Sequence, residues 1–271
     1  MIIWDVSPEI FSFGPFSLGL FDLGPFSVRW YGLLFAASFV IGFQIMTWIF
    51  KIEKKSEKDL NDLVWYMILG TVLGARLGHC LFYNPAYYLS NPIEILKIWQ
   101  GGLASHGAAV GILLAMYFYS KRKVGQSFLW ILDRVVITVA LAGSLIRLGN
   151  LFNSEIIGIP TDLPWAFVFT IVDDIPRHPA QLYESIFYLF SFIILFNIYR
   201  RKRTTTEQGL IFGLFLILIF GFRIIVEFLK ENQTGFEQGM FLNMGQLLSI
   251  PLVIFGGYLL YNIKSKKTIS K

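Results

Sequence analysis

Long apolar stretches separated by short polar links dominate this chain. Seven of them approach the length of about 20 mainly apolar residues that a helix needs to cross a bilayer. They are residues 28–50, 62–83, 104–119, 128–147, 180–199, 208–229 and 243–263. The third stretch is the shortest, and glycine and histidine interrupt it. The pattern predicts seven transmembrane helices.

The composition supports a membrane protein. Of the 271 residues, 55% are hydrophobic and 15% are charged, whereas a soluble domain has about 25% charged residues. The mean hydropathy is +0.60. These values exclude a soluble enzyme, a disordered chain and a nucleic-acid binder. The single cysteine, Cys80, excludes an internal disulfide and a cysteine-based metal site, and we expect neither a metal nor a cofactor.

Basic residues collect in every second link between the predicted helices. Fifteen of the 23 lysines and arginines lie after the first, third and fifth stretches or in the C-terminal tail: Lys51, Lys54, Lys55, Lys58, Lys121, Arg122, Lys123, Arg200, Arg201, Lys202, Arg203, Lys264, Lys266, Lys267 and Lys271. Because positive residues mark the cytoplasmic side, we expect the N-terminus outside and the C-terminus in the cytoplasm.

The remaining segments complete the predicted architecture. Residues 84–103 and 148–179 are the two longer connections on the outer side, where we expect a small extracytoplasmic head. Residues 1–27 contain no lysine or arginine and so do not form a signal peptide. Their glycines, prolines and aromatics predict an interfacial arm on the membrane surface. The whole chain, 1–271, is thus predicted to be one all-α polytopic membrane domain.

A few charged residues fall at membrane depth, where a charge costs at least ~2.5–3.5 kcal/mol. They are Arg76, His79, His106, Asp133, Arg134, Arg147, Glu184, Arg223 and Glu227. Asp133 and Arg134 lie near the cytoplasmic end of their helix, and we expect both at the interface. The others lie mostly toward the outer side and are candidates for function.

Arg223 and Glu227 are four residues apart and therefore share a helix face. The pair could be an internal ion pair that only neutralises itself. Alternatively, the guanidinium of Arg223 could bind a lipid phosphate, with Glu227 holding it in orientation.

The densest polar stretch is RLGNLFNSEIIG, which begins at Arg147 and ends at Gly158. A snorkelling arginine beside ordinary helix-end residues would explain one arginine and one asparagine. It does not explain the full set of polar residues: Arg147, Asn150, Asn153, Ser154 and Glu155. We therefore expect a second phosphate-binding arginine here.

Other polar positions leave two interpretations open. His106 lies among small residues in GGLASHGAAVG and is either a buried structural histidine or a proton acceptor. Arg76 and His79 could serve a second phosphate or a contact between helices. Gln181 and Glu184 share a face and could join the polar network or only pack helices.

Two other classes of membrane protein fit less well. A transporter needs paired discontinuous helices near the midplane, whereas the charges here lie toward the outer interface. An intramembrane serine protease needs a serine in a glycine-rich turn, and Ser144 is followed by Leu145 and Ile146. The residues favour a protein that binds an anionic phospholipid in the outer leaflet. Composition and spacing identify no attacking group.

Seven motifs, in order along nearly the whole chain, resemble the prolipoprotein diacylglyceryl transferase family. They are RWYG at 29–32, GARLG at 74–78, GGLASHG at 101–107, RLGNLFNSEIIG at 147–158, RHPAQLYE at 177–184, FRIIVEF at 222–228 and MGQLLSIP at 244–251. The resemblance implies a bacterial inner-membrane enzyme that moves the diacylglyceryl group of phosphatidylglycerol onto the lipobox cysteine of a prolipoprotein. This first step of lipoprotein maturation forms a thioether and releases glycerol phosphate, and the nucleophile belongs to the second substrate.

The resemblance also implies residue roles. Catalytic roles fall on Tyr31, His106, Arg147, Arg223 and Glu227. Binding of phosphatidylglycerol is expected at Arg147, Asn150, Asn153, Glu155, Gly158 and Arg223, and at Arg76 as a further phosphate contact. Glu155 and Glu227 would orient the two arginines. His106 would accept the thiol proton, unless the arginines alone lower the pKa of the thiol.

The sequence departs from the family pattern at three positions near predicted site residues. Ile146 and Ala108 stand where the family usually has glycine, and Leu151 where it usually has phenylalanine. None of these changes removes a chemical group, so we expect altered local packing and retained activity.

Overall fold

The structure, a computed structural model, describes residues 1–17, 19, 22–231, 237 and 239–269. Parts of the predicted arm (residues 18, 20 and 21) and of the basic tail (Lys271) lie outside the described residues.

Helices make up most of the described chain. The α-helices are α1 (Trp30–Ile52), α2 (Glu57–Tyr83), α3 (Pro85–Ser90), α4 (Pro92–Ile95), α5 (Ser105–Arg122), α6 (Phe128–Phe152), α7 (Ala180–Lys202), α8 (Leu210–Phe215), α9 (Gly221–Val226) and α10 (Met244–Ile269). The strands are β1 (Ile2–Trp4), β2 (Glu9–Phe13), β3 (Phe16–Ser17), β4 (Asp22–Leu23), β5 (Phe26–Arg29), β6 (Phe167–Phe169) and β7 (Pro176–Arg177).

Six described helical segments are long and apolar enough to cross a membrane. They are Trp30–Ile52, Glu57–Tyr83, Phe128–Phe152, Ala180–Thr205, Leu210–Leu229 and Met244–Ser265. The prediction of a mainly helical integral membrane protein is therefore confirmed. The third predicted stretch is also helical, as α5, but His106 at its start and Lys121 and Arg122 at its end make it more polar.

The chain divides into two compact units, and the second consists of Met46–Leu132. Its centre is a close contact between α2 and α5. A Cβ placed on Gly78 would lie 2.6 Å from the Cα of Gly107, and one on Gly70 would lie 2.7 Å from the Cβ of Ala115. Glycine is therefore required for the two backbones to approach this closely.

The first unit consists of Met1–Ile45 and Asp133–Lys271. In it, β1 pairs in parallel with β6, and β6 pairs antiparallel with β7. Leu151, Phe167 and Phe169 form a buried cluster against which Trp4 packs, and the Trp4 Nε1–H donates to the Leu151 carbonyl at 3.1 Å. The start of the predicted arm is thus built into the 148–179 connection. These short strands were not predicted.

The sixth apolar segment is an interrupted helix. Between α8 and α9 lies a π-helical turn, Leu216–Phe220, and such turns are frequent at functional sites. The carboxylate of Asp133 accepts the backbone N–H groups of Gly209 at 2.7 Å and Phe212 at 2.8 Å, at the start of α8. Asp133 and Arg134 are both buried inside the protein, and their expected position at the cytoplasmic interface stays a prediction.

Candidate active site

Arg147 lies on α6 against a buried carboxylate of α7. Its Nε is 3.1 Å from Oε2 of Glu184, whose side chain is 0% exposed, while the Arg147 side chain is 18% exposed. The contact is one of charge, because Oε2 has no aligned hydrogen bond within the described structure. Arg147 is therefore anchored, and the interpretation as a snorkelling residue fails. Glu184 joins the polar network and does not only pack helices.

Lys230 continues this network from the other side of Glu184. Its Nζ donates to Oε1 of Glu184 at 2.9 Å and to Oε1 of Glu227 at 3.0 Å. The Lys230 side chain is only 2% exposed. The ammonium thus bridges two carboxylates inside the protein.

Arg223 ends the network on α9. Its Nε donates to Oε1 of Glu227 at 3.2 Å, and its side chain is 34% exposed. Glu227 also accepts from Lys230 and, through Oε2, from Nδ2 of Asn243 at 3.1 Å. Because Glu227 is shared, the pair with Arg223 does not simply neutralise itself.

These contacts form one continuous line of charges, which we call the ion-pair chain. It consists of Arg147, Glu184, Lys230, Glu227 and Arg223. Each arginine is held through Nε. Among the described residues, the only further contact of their Nη atoms is a long one, 3.4 Å, from Arg147 Nη1 to Oδ1 of Asn150. The Nη edges of both guanidinium groups remain able to bind an anion.

Glu155 orients two amides rather than an arginine. Its Oε2 accepts from Nδ2 of Asn150 at 3.1 Å, and its Oε1 accepts from Nδ2 of Asn153 at 3.0 Å. The expectation that Glu155 holds Arg147 is therefore wrong, since Glu184 does so. Glu155 acts on Arg147 only through Asn150.

The backbone of this stretch is unusual. Ser154 and Ile156 have positive φ angles of 52° and 57°, a conformation that costs of order 1–3 kcal/mol outside glycine. Asn153 Oδ1 and Ser154 Oγ are buried with no hydrogen-bond partner in the described structure, as is Gln181 Oε1. Such strain is typical of functional segments.

Gly158 has a packing role in the structure. Its backbone pairs with that of Lys230. A Cβ placed on it would lie 2.6 Å from the Cβ of His178 and 2.7 Å from the carbonyl oxygen of Leu229. Glycine at this position therefore lets the segment that carries Lys230 dock, and the lipid contact predicted at Gly158 stays a prediction.

Tyr31 lies beside the site at the start of α1. Its ring packs on Gly149, where a Cβ would come within 2.8 Å of Cδ2 of the tyrosine. Tyr31 thus contacts the helix turn between Arg147 and Asn150, and in the described part of the chain it forms no hydrogen bond with either arginine of the ion-pair chain.

Two predicted residues, Arg76 and His106, belong to the second unit. His106 is exposed in the first turn of α5, and its ring centroid is 5.1 Å from that of Phe82 and 6.0 Å from that of Tyr83. The interpretation of His106 as a buried structural histidine is therefore wrong, and its imidazole is accessible.

Arg76 is buried, and four of the five N–H groups of its guanidinium donate to backbone carbonyls. It donates from Nε to the carbonyl of Ile95 at 2.9 Å and from Nη2 to that of Glu94 at 2.6 Å. Its Nη1 donates to Gly101 at 2.6 Å and Gly102 at 3.2 Å. The expectation of a phosphate contact at Arg76 is wrong for this geometry, because the guanidinium holds the 84–103 connection instead.

Outside the spans, Arg177 fastens the 148–179 connection. Its Nη2 lies 2.6 Å from Oδ2 of Asp173, and its Nη1 donates to Glu231. The guanidinium of Arg177 lowers the pKa of the Asp173 carboxyl. Burial lowers the pKa of His178. Because Glu231 follows Lys230, this ion pair also helps to fix the backbone next to the central residue of the ion-pair chain.

Sequence reasoning missed three contributors to the site. Lys230 was not among the predicted site residues, although its spacing of three from Glu227 was a usable signal. Asn243 donates to Glu227, and Gly245 leaves space for the Glu227 side chain, since a Cβ on Gly245 would lie 2.7 Å from the Glu227 carboxyl carbon.

Among the described residues, no three or more histidine, cysteine, aspartate or glutamate side chains are grouped so that they could hold a metal ion.

Known proteins similar to this chain agree on one family. Residues 19–262 match the profile of the family described as Prolipoprotein diacylglyceryl transferase. A phosphatidylglycerol–prolipoprotein diacylglyceryl transferase of Chloroherpeton thalassium is 50% identical over 270 residues, 100% of this chain and 97% of that protein. One from Tolumonas auensis is 45% identical over 256 residues (94% and 95%) and one from Bacteroides fragilis 41% over 280 residues (99% and 97%). The chain therefore belongs to the prolipoprotein diacylglyceryl transferase family.

Proposed function

We propose that this chain transfers the diacylglyceryl group of phosphatidylglycerol to the lipobox cysteine of prolipoproteins, the first step of lipoprotein maturation. The names of its relatives give the two substrates. The observation that carries the proposal is the ion-pair chain, which leaves the Nη edges of Arg147 and Arg223 able to bind an anion. A guanidinium edge matches the oxygens of a phosphate diester.

In the proposed reaction, Arg147 and Arg223 hold the lipid phosphate. The cysteine sulfur attacks the glycerol carbon that bears the phosphate oxygen. The C–S bond forms as the C–O bond breaks, and the electron pair of that bond stays on the departing glycerol phosphate. The two guanidinium groups stabilise this added negative charge, which is the usual role of fixed cations in such a transition state.

The thiol proton has two proposed destinations. His106 is accessible and could accept it. Alternatively, the positive site could lower the pKa of the thiol, ordinarily about 8.5, so that solvent takes the proton. His106 is then not required as a base.

The transfer is tested by mass spectrometry. The purified protein in detergent is incubated with phosphatidylglycerol and a lipobox peptide with one cysteine. We expect the peptide to gain the diacylglyceryl mass, glycerol phosphate to appear, and Arg147→Ala and Arg223→Ala to be inactive. Arg201→Ala, which removes an exposed arginine of α7, is the matched control and should remain active. No adduct from the folded wild-type protein would contradict the proposal.

We further propose seven spans in a bacterial inner membrane, with the N-terminus outside. Support comes from the contact of α5 with α2, which extends from Gly70 and Ala115 to Gly78 and Gly107, and from the basic links. In a variant with Cys80 replaced by serine, Ser90→Cys should react with an impermeant thiol reagent in intact cells. Lys54→Cys and Lys121→Cys should react only after permeabilisation. Equal labelling of Ser90→Cys and Lys121→Cys would contradict a spanning α5.

The exposed phenylalanines of the N-terminal hairpin support the proposed interfacial arm. In it β2 pairs antiparallel with β5, and Phe11, Phe13 and Phe26 are exposed. Aromatic residues favour the membrane–water interface. Phe11→Ser and Phe13→Ser together should lower transfer from lipid vesicles more than transfer in detergent, and an equal effect in both would contradict the arm.

A further inference from the structure

The bridging ammonium of Lys230 is the one cation of the ion-pair chain that the proposed reaction does not use. It is inaccessible, with 2% of its side chain exposed, so it does not contact the lipid. It lies within 3.0 Å of both Glu184 and Glu227. Each of these carboxylates in turn holds one arginine. Lys230 therefore connects the two arginines through their own partners.

The charges of the ion-pair chain are not balanced. It contains three cations and two carboxylates and so carries one net positive charge. A phosphate diester carries one negative charge. Without Lys230, two carboxylates would face two arginines, and the chain would have no net charge to attract the lipid.

The backbone around Lys230 is arranged to hold this ammonium in place. Gly158 pairs with Lys230. The N–H of Ile159 donates to the carbonyl of Leu229 at 3.0 Å, and that of Glu231 donates to Ile157 at 3.2 Å. The segment from Arg147 to Ile159, which begins on α6, thus holds the backbone around Lys230.

We propose that Lys230 is a positioning residue for the phosphate site, which sets both the placement of Arg147 and Arg223 and the net charge that they present. Two effects follow. The charge affects binding and so appears in KM for phosphatidylglycerol. The placement affects the transition state and so appears in kcat, since a misplacement of about 1 Å can cost about 100-fold. The inference rests on the proposed transfer reaction.

The experiment compares four variants in the peptide transfer assay. Lys230→Met removes the ammonium. Lys230→Arg keeps a charge that can bridge both carboxylates. Lys230→Met with Glu184→Gln removes one charge of each sign and so restores the net charge without the bridge. Lys202→Met is the matched control, because it breaks a more exposed lysine–glutamate pair, Lys202 with Glu207. Thermal unfolding in detergent reports on folding.

We expect Lys230→Met to raise KM about tenfold and to lower kcat about 100-fold. Lys230→Arg should stay within about tenfold of wild type in both constants. The double variant should recover the wild-type KM but keep the low kcat. A residue with only a structural role would change the fraction of active protein and leave KM unchanged.

Three results would overturn the inference. One is a folded Lys230→Met variant with wild-type kcat and KM. Another is a double variant whose KM is no better than that of Lys230→Met. If Lys230→Met does not fold, the double variant and Lys230→Arg are compared, and equal kcat values would overturn the inference. Absence of transfer by the wild-type protein would instead reject the proposed function.

Discussion

Two arginine sites in the apolar helices of this protein, one buried and one partly exposed, differ in how the protein holds them. Arg76, on α2, is 4% exposed and gives its N–H groups to four backbone carbonyls. Arg147 and Arg223 are 18% and 34% exposed and are held mainly through Nε. From sequence alone all three looked like phosphate ligands.

The comparison shows what distinguishes a binding arginine from a structural one in a membrane protein. An intramembrane charge is a functional candidate by default, and Arg76 shows where that default fails. What matters is how many N–H groups the protein itself satisfies. Four carbonyls around a buried guanidinium leave a single N–H group with no access for a ligand, whereas a carboxylate at Nε fixes the group and leaves its outer edge available.

The largest expected effect is a loss of activity at Arg147, one of the two arginines that we propose to bind phosphate. Arg147→Lys should reduce kcat/KM at least about 100-fold with the fold intact, because lysine can pair with Glu184 but cannot offer a guanidinium edge. Initial rates of peptide modification measure the loss, and thermal unfolding checks the fold. Near-normal activity would mean that charge alone is sufficient at this position.

A second effect concerns His106, which shares its unit with Arg76. If His106 is the base, His106→Gln should lower kcat about 100-fold at about pH 7, since general bases contribute about 10²–10⁴-fold. The deficit should shrink toward about pH 8.5, where half of a free thiol is ionised. Activity retained equally at both pH values would exclude an obligatory histidine base.

Because Arg76 holds backbone carbonyls, its replacement should reduce the stability of the protein. Arg76→Lys should lower the free energy of unfolding by a few kcal/mol, because a buried carbonyl left without a donor costs about 1–3 kcal/mol. KM for phosphatidylglycerol should not change in the folded fraction. Thermal unfolding and kinetics on the same sample measure both quantities. A raised KM without a loss of stability would instead indicate that Arg76 contacts the lipid phosphate.

A smaller effect, a gain in the free energy of unfolding, is expected at Ser154 in the polar stretch from Arg147 to Gly158. Ser154→Gly should stabilise the protein by about 1 kcal/mol, because glycine adopts the positive φ of 52° without a steric penalty. Thermal unfolding measures the shift. Val124→Gly, at an exposed position in the second unit, is the control and should not stabilise.

The smallest effect is a pH dependence in the 148–179 connection. Arg177 lowers the pKa of Asp173 below its ordinary 3.8. The stabilisation is therefore complete above that value and is lost as the pH falls through the lowered pKa. Because Asp173 is partly exposed, the loss should stay within about 1 kcal/mol. The difference in thermal stability between wild type and Asp173→Asn should disappear at low pH, and a constant difference would contradict this assignment.

Much of the fold followed from local sequence. Apolar length predicted the positions of seven helical segments to within a few residues at most ends, and six of these segments are long and apolar enough to cross a membrane. Arg223 was predicted from spacing, since it shares a helix face with Glu227, and Arg147 was predicted from the density of polar residues in 147–158.

What sequence did not reveal depends on contacts between distant segments. Glu184 replaces Glu155 as the partner of Arg147 across α6 and α7, and Asn243 reaches Glu227 from beyond α9. The parallel pairing of β1 with β6 joins residues more than 160 positions apart. No local pattern encodes such pairings, and strands of three residues are too short for alternation to appear.

The most direct test of the central claim is a double-mutant cycle on kcat/KM with Arg147→Ala, Arg223→Ala and the two combined. If both arginines hold one phosphate, the two losses should be strongly non-additive, with the combined variant hardly slower than the slower single variant. If the losses multiplied, the two arginines would act independently, and a shared phosphate site on the ion-pair chain would be wrong.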